Sequence, residues 1–211
     1  EVDVWEAASL RGFAAAAIAI VLGNPLTAVI FLAEAVAIAG GPVIIATLAA
    51  LLSPSYGVYA GFEIYEHKAL APGKEEYLDS EKFQYRPRDW AAASHTSLVP
   101  YLTMLNQIRR EHPAFHELRN LRFERIDNSQ MIAFSKRHGD EVVVVTCVLD
   151  PNSPQAGTLE LDLEELGFGS DERVVARDLI TGQTWAWGSH NYIRHDPSFT
   201  CAHAVVLERM S

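Results

Sequence analysis

The sequence predicts an α/β segment followed by an all-β segment, with the boundary near Leu118. Before the boundary, apolar stretches of helical length alternate with short runs rich in β-branched and aromatic residues. This is the alternation of a parallel sheet or barrel. After the boundary the hydrophobic period changes to two, and turn residues separate many short runs. That pattern is typical of an antiparallel β-sandwich.

The first segment predicts helices and strands in turn. In chain order these are a helix at 4–22, a strand at 27–33, a helix at 42–52, a short strand at 56–61 and an amphipathic helix at 98–111. Gly23-Asn24-Pro25 ends the first helix and Pro54 follows the second, because proline does not continue a helix.

The second segment predicts eight strands, each four to nine residues long. They are 121–126, 131–136, 141–149, 158–161, 173–178, 183–187, 192–195 and 202–208. Turns such as His138-Gly139-Asp140 and Thr181-Gly182 separate them. In the sixth strand Trp185 and Trp187 share a face, where they form either sandwich core or a platform for stacking sugars.

Composition excludes several classes of protein. The 211 residues are 49% hydrophobic and 21% charged, as in a folded globular chain, and the net charge of −10 disfavours nucleic acids and anionic membranes as partners. Cys147 and Cys201 are too few for a disulfide framework, which indicates a reducing, cytoplasmic compartment.

His112 and His116 are four residues apart, but Pro113 breaks the helix that would align them on a metal. We therefore expect no metal and no cofactor.

Residues 13–62 carry a single charge, Glu34. A stretch this apolar is compatible with a transmembrane hairpin, but Gly23-Asn24-Pro25 interrupts it and basic flanks are missing apart from Arg11. The acidic residues between Glu1 and Glu6 also argue against a signal peptide. A buried parallel strand with the helices that pack against it also gives a continuous apolar sequence, and we favour that interpretation.

Glu34 is the strongest catalytic candidate from the residues alone. It ends a predicted strand, which is where barrel enzymes place catalytic groups, and apolar surroundings raise a carboxyl pKa as a general acid requires. The alternative is a glutamate at a strand end that faces solvent.

Several runs carry a resemblance to a known family. They are 29–35 (VIFLAEA), 53–66 (SPSYGVYAGFEIYE), 75–83 (EEYLDSEKF), 109–114 (RREHPA), 118–121 (LRNL), 132–136 (IAFSK) and 142–145 (VVVV). Together they resemble the α-1,4-glucan:maltose-1-phosphate maltosyltransferases, which are α-amylase-type enzymes of the glycoside hydrolase 13-like group. The resemblance implies a partial (β/α)8-barrel segment at 1–118, followed by a C-terminal antiparallel β-sandwich at 119–211. The barrel is incomplete, because Ala35 leads directly into Gly40-Gly41-Pro42 where the family has two further βα units and a third carboxylate.

The resemblance also implies roles for four residues. Glu34 corresponds to the acid/base, and Asp3, in Val2-Asp3, to the nucleophile, although Asp3 also reads as an exposed helix cap. Lys82 corresponds to a lysine that contacts the donor maltosyl unit, with a solvated loop lysine as the alternative. Phe83 stands where the family usually has Tyr, and it keeps a face for sugar stacking.

The implied activity is retaining transfer of maltosyl units from α-maltose 1-phosphate to α-1,4-glucans, with release of phosphate. The expected partners are this donor and a glucan acceptor, together with a possible second copy of the chain. Neither nucleic acid nor a membrane is expected. The alternative is a catalytically inactive fragment that acts as a structural or glucan-binding module.

Overall fold

A computed structural model describes residues 41–66, 71, 87–93 and 97–210. The helices in these residues are α1 (Gly41–Leu52), α2 (Trp90–Ala93) and α3 (Val99–Glu111), with 3-10 turns at Phe62–Ile64 and Pro113–His116. The predicted helices at 42–52 and 98–111 are confirmed. The predicted helix at 4–22 and strand at 27–33 lie outside the described residues.

The predicted short strand at 56–61 is wrong. Only Gly57 makes a bridge there, and the chain then turns, with the backbone N–H of Phe62 donating to the carbonyl of Tyr59 at 2.9 Å. Gly61 has a φ of 106°, which lies outside the range of regular β-strand residues. These residues therefore form a loop between α1 and the 3-10 turn Phe62–Ile64.

All eight strands of the second segment are present, within a few residues of their predicted ends. They are β1 (Leu121–Ile126), β2 (Met131–His138), β3 (Glu141–Val148), β4 (Gln155–Glu160), β5 (Val174–Asp178), β6 (Thr184–Trp187), β7 (His190–His195) and β8 (Ala202–Arg209). Each neighbouring pair is antiparallel, which confirms the antiparallel all-β prediction.

The strands form one continuous sheet in the order β6-β5-β8-β3-β2-β1-β4-β7. Strand β1 joins its two parts, because its first four residues pair with β2 while Arg125 and Ile126 pair with β4. The sheet thus curls over itself into a nearly closed, barrel-like shape. This differs from the two separate sheets of a sandwich, since one strand serves both layers.

A hydrophobic core lies on each face of the central strands. Inside the curl, Val144 and Val205 pack with Leu159 of β4 and Ile193 of β7. On the outer face, alternate residues of β2, β3 and β8 pack with α1 and α3. Because both faces are covered, β3 is apolar along most of its length instead of alternating with polar residues.

Helix α1 is apolar on all sides because protein surrounds it. Nine of its twelve residues are buried, and Thr47 Oγ1 lies 2.6 Å from the Tyr101 hydroxyl of α3. Burial against α3 and the sheet therefore accounts for the hydrophobicity of residues 41–52. Among the described residues, no helix combines the length and the apolar character needed to cross a bilayer.

Candidate functional site

The loop that carries the 53–66 motif is anchored at its start by Arg109. This guanidinium, presented by α3, donates hydrogen bonds to the carbonyls of Ala50, Ser53 and Pro54 and lies 5.1 Å from the centre of the Tyr56 ring. The last carbonyls of a helix have no partner within the helix, so Arg109 caps α1 and fixes the direction of the chain that leaves it. The loop is therefore positioned by a rigid helix pair.

The far end of the loop is held by an ion pair. Glu66 Oε2 accepts hydrogen bonds from Arg88 Nε at 3.1 Å and Nη2 at 3.0 Å, and Nη2 also donates to the carbonyl of Ala60. Tyr65 has a φ of 58°, which is unfavourable for any residue with a side chain. Strained backbone conformations persist only where the surrounding structure holds them in place, and they are concentrated at functional sites. The loop is thus a preformed surface feature.

Gly61→Ala is expected to lower the free energy of unfolding by roughly 1–3 kcal/mol, because a β-carbon at φ 106° is strained and would lie 2.1 Å from Glu66 Oε2. The matched control is Gly57→Ala, where a β-carbon meets no atom within 4 Å. Urea unfolding of the two variants checks this expectation. Equal stability of the two variants would contradict it.

The four site residues predicted by resemblance, Asp3, Glu34, Lys82 and Phe83, lie outside the described residues. Their roles therefore stay predictions. The described part of the same region is the anchored loop and Arg88, which follows the 75–83 motif in the chain.

The two histidines with metal-ligand spacing have separate partners. His112 Nδ1 lies 2.7 Å from Glu141 Oε1, and the other oxygen of Glu141 accepts a hydrogen bond from the backbone N–H of Ala114. His116 bonds instead to the carbonyl of Arg109. Helix α3 ends at Glu111, just before Pro113, as predicted, and His112 joins the end of this helix to β3.

A buried polar cluster inside the curled sheet was not predicted. Asp178, at the end of β5, accepts hydrogen bonds from His203 Nδ1 at 2.9 Å, Thr181 Oγ1 at 2.5 Å and the backbone N–H of Ala204 at 2.9 Å. Burial by itself would raise the pKa of Asp178, but the hydrogen bonds from His203 and Thr181 outweigh it and hold the pKa below its usual value. Asp178 is therefore an ionised, structurally bound carboxylate.

His195 of β7 extends this cluster. Its ring centre lies 4.7 Å from that of His203, and its Nε2 is 3.0 Å from Thr146 Oγ1. Its Nδ1 has no hydrogen-bond partner among the described residues. Burial, helped by the neighbouring His203, lowers the pKa of His195 to about 3, so the ring is neutral in the folded protein.

The tryptophan pair lies beside this cluster, and Trp187 belongs to the inner core. Trp187 is buried in the inner core, whereas Trp185 is half-buried, and the two rings are 6.3 Å apart and nearly parallel at 17°. Trp185 also meets the edge of His203 at 5.1 Å. Both tryptophans line a cavity of about 250 Å³, which we call the β6–β7 cleft.

Solved structures with the same fold are α-amylases. One from Anoxybacillus aligns with 82% of this chain and 33% of its own, at a TM-score of 0.53 and 19% identity. Another, from Geobacillus thermoleovorans, aligns with 82% of this chain and 34% of its own, at a TM-score of 0.56 and 16% identity. The fold of this chain therefore also occurs in solved α-amylase structures.

Sequence comparison gives the family. Residues 123–207 match the family model "GLGE, C-terminal". The chain is 49% identical over 168 residues to α-1,4-glucan:maltose-1-phosphate maltosyltransferase 2 of Streptomyces coelicolor, and 47% identical over 174 residues to the Mycolicibacterium smegmatis enzyme. Each match covers 79% of this chain and 25% of the relative.

The chain is homologous to the C-terminal part of the α-1,4-glucan:maltose-1-phosphate maltosyltransferases, as the sequence motifs predicted. It spans about a quarter of the length of the curated relatives that it matches.

Proposed function

We propose that this chain contributes to an enzyme that transfers maltosyl units from α-maltose 1-phosphate to the non-reducing end of α-1,4-glucans, with retention of configuration and release of phosphate. The observation that carries this proposal is the 49% identity to an enzyme named for that reaction. Residues 1–118 would then form a partial (β/α) barrel and residues 119–211 the β domain packed against it. The shared core of α1, α3 and the sheet supports this arrangement.

Retaining transfer uses two carboxylates about 5–5.5 Å apart. In the proposed mechanism, Asp3 attacks the anomeric carbon of the donor while the bond to the phosphate oxygen breaks, and Glu34 supplies a proton to the leaving group. Glu34 then takes the proton of the acceptor hydroxyl, which displaces Asp3 from the maltosyl unit. Lys82 would hold donor oxygens with its ammonium group, and Phe83 would stack on a sugar ring.

Glu34→Gln is expected to slow phosphate release from α-maltose 1-phosphate, with maltohexaose as acceptor, by about 10²–10⁴-fold, because the amide neither donates nor accepts the transferred proton. The control is Glu164→Gln, which removes an exposed carboxylate from the connection between β4 and β5. Phosphate is measured in both variants after circular dichroism shows them folded. Equal rates in the two variants would exclude Glu34 as the acid/base.

The second candidate is a non-catalytic role as a scaffold or glucan-binding module. It is favoured by the way in which Arg109 and the outer core fix the 53–66 loop in place. A folded wild-type chain that releases no phosphate under the same conditions would support this candidate against the first.

The cellular setting and the assembly are proposals of the same kind. A cytoplasmic location is supported by Cys147 and Cys201, which are both buried thiols. Burial raises the pKa of Cys201 to about 11, so this thiol is protonated near neutral pH and is a poor nucleophile. A homodimer would be recognised by sedimentation equilibrium as twice the 23.3 kDa chain mass.

A further inference from the structure

Strands β6 and β7 follow each other in the chain but do not pair. Only residues 188 and 189 separate them, and a two-residue link normally closes a hairpin. Instead β6 pairs with β5 and β7 pairs with β4, which puts the two strands at opposite ends of the sheet order. The strands therefore diverge from their link, and the β6–β7 cleft opens between them.

The side chain of Asn191 fixes the backbone of the link between β6 and β7. Asn191 Oδ1 accepts a hydrogen bond from the backbone N–H of Gly188 at 2.9 Å, and its Nδ2 donates to the carbonyl of the same glycine at 2.7 Å. The amide thus bonds to the backbone as a neighbouring strand would. The cleft is consequently a built feature of the fold.

The cleft walls combine aromatic and polar groups. The lining residues are Gln183, Trp185 and Trp187 of the β6 side, Tyr192, Ile193 and Arg194 of β7, and His203 of β8. The two indoles form a continuous aromatic wall, while Tyr192 is 72% exposed at the rim. A sugar ring presents apolar C–H groups on its faces and hydroxyl groups around its edge, so it matches a wall of this composition.

The charges at the cleft are balanced. Arg194 Nη2 lies 3.6 Å from Asp196 Oδ2, and His203 Nδ1 is bound to Asp178. Gln183 is neutral. Such a lining offers hydrogen bonds without a net charge, which suits a neutral polyhydroxyl ligand better than an anion such as phosphate.

We propose that the β6–β7 cleft binds a segment of α-1,4-linked glucan. The choice of this glucan rests on the proposed function. At about 250 Å³ the cleft is smaller than the ~300–1,000 Å³ typical of a ligand pocket. It therefore holds part of one or two sugar rings, and the rest of the glucan runs along the protein surface. It would keep a long acceptor close to the protein through several turnovers.

The test is calorimetric titration of the whole chain with maltoheptaose. We expect Trp185→Ala and Tyr192→Ala each to weaken binding at least 10-fold, and Trp90→Ala, which removes a 49% exposed tryptophan from α2, to leave it unchanged. Tyr192 is so exposed that its removal leaves the fold intact, which thermal unfolding verifies. Binding that neither cleft variant alters would overturn the proposal. So would a folded wild type that binds no maltoheptaose, or competition by inorganic phosphate.

Phosphate release in the same samples separates this proposal from the enzymatic one. Maltoheptaose binding that depends on Trp185, in a chain without phosphate release, would leave the cleft assignment intact and remove the catalytic one. Phosphate release that persists while neither Trp185→Ala nor Tyr192→Ala affects binding would do the reverse. Cellohexaose, with β-1,4 links, reports whether the cleft recognises the α linkage.

Discussion

Replacing Asp178 with alanine is expected to lower the free energy of unfolding by about 3–5 kcal/mol, because it leaves buried donors without their acceptor. The Asp178 side chain is completely buried, and its two oxygens accept from the His203 ring, the Thr181 hydroxyl and backbone N–H groups that include that of Ala204. These bonds join the end of β5 to β8 and to the turn that follows β5. Their loss therefore affects strand pairing and the turn at once.

Urea unfolding followed by tryptophan fluorescence measures this change. Asp178→Asn keeps the shape and one oxygen acceptor but loses the charge, so its stability should fall between those of the wild type and Asp178→Ala. Asp171→Ala removes an exposed aspartate before β5 and should change stability by less than about 0.5 kcal/mol. A loss for Asp178→Ala no larger than that for Asp171→Ala would show that the cluster does not stabilise the fold.

Acidification from pH 8 to pH 5 is expected to cost about 2 kcal/mol of stability through His195 alone. A histidine of the unfolded chain has a pKa near 6.5, whereas the pKa of folded His195 is about 3. The unfolded chain therefore binds the extra proton between these values. The contribution of neutral His195 to the free energy of unfolding is fully present above pH 6.5 and is lost as the pH falls towards 3. The lowered pKa of Asp178 acts in the same direction, but only near and below its unfolded value of about 3.9.

His195→Gln isolates this contribution, because the amide does not titrate and can still bond to Thr146. Between pH 8 and pH 5 we expect the wild type to lose about 2 kcal/mol more of its free energy of unfolding than His195→Gln loses. His190→Gln, an exposed position on the same strand, should show no such change. Urea unfolding at both pH values gives the four differences. A constant difference for His195→Gln would mean that His195 is not held neutral.

The curled sheet connects these stability effects to the proposed enzyme. Its inner face contains the polar cluster and the cleft, and its outer face packs against α1 and α3, which in turn hold the 53–66 loop through Arg109. A sheet weakened at Asp178 would therefore loosen the support of that loop. Variants in the curled sheet should be compared for folding before any loss of phosphate release is ascribed to the reaction.

The sequence by itself determined the eight strands, the helices predicted at 42–52 and 98–111, and the family. Strand periodicity and the prolines that end helices are local properties of the sequence. The 56–61 segment was predicted wrongly because its β-branched and aromatic residues resemble a strand. The positive φ of Gly61 and the anchoring by Arg109 and Arg88 turn it into a loop.

Only the tertiary structure decided how the strands pair and which side chains meet. The two-residue link between β6 and β7 is short enough for a hairpin, yet β6 pairs with β5 and β7 pairs with β4. That choice opens the cleft between them and brings Trp185 beside His203. The sequence indicated the two tryptophans, but it contained no signal for Asp178, His195 and His203, which lie on three strands and converge through the curl of the sheet. Hydrophobic periodicity is set by neighbours along the chain, whereas such a cluster depends on contacts between residues that are distant in sequence.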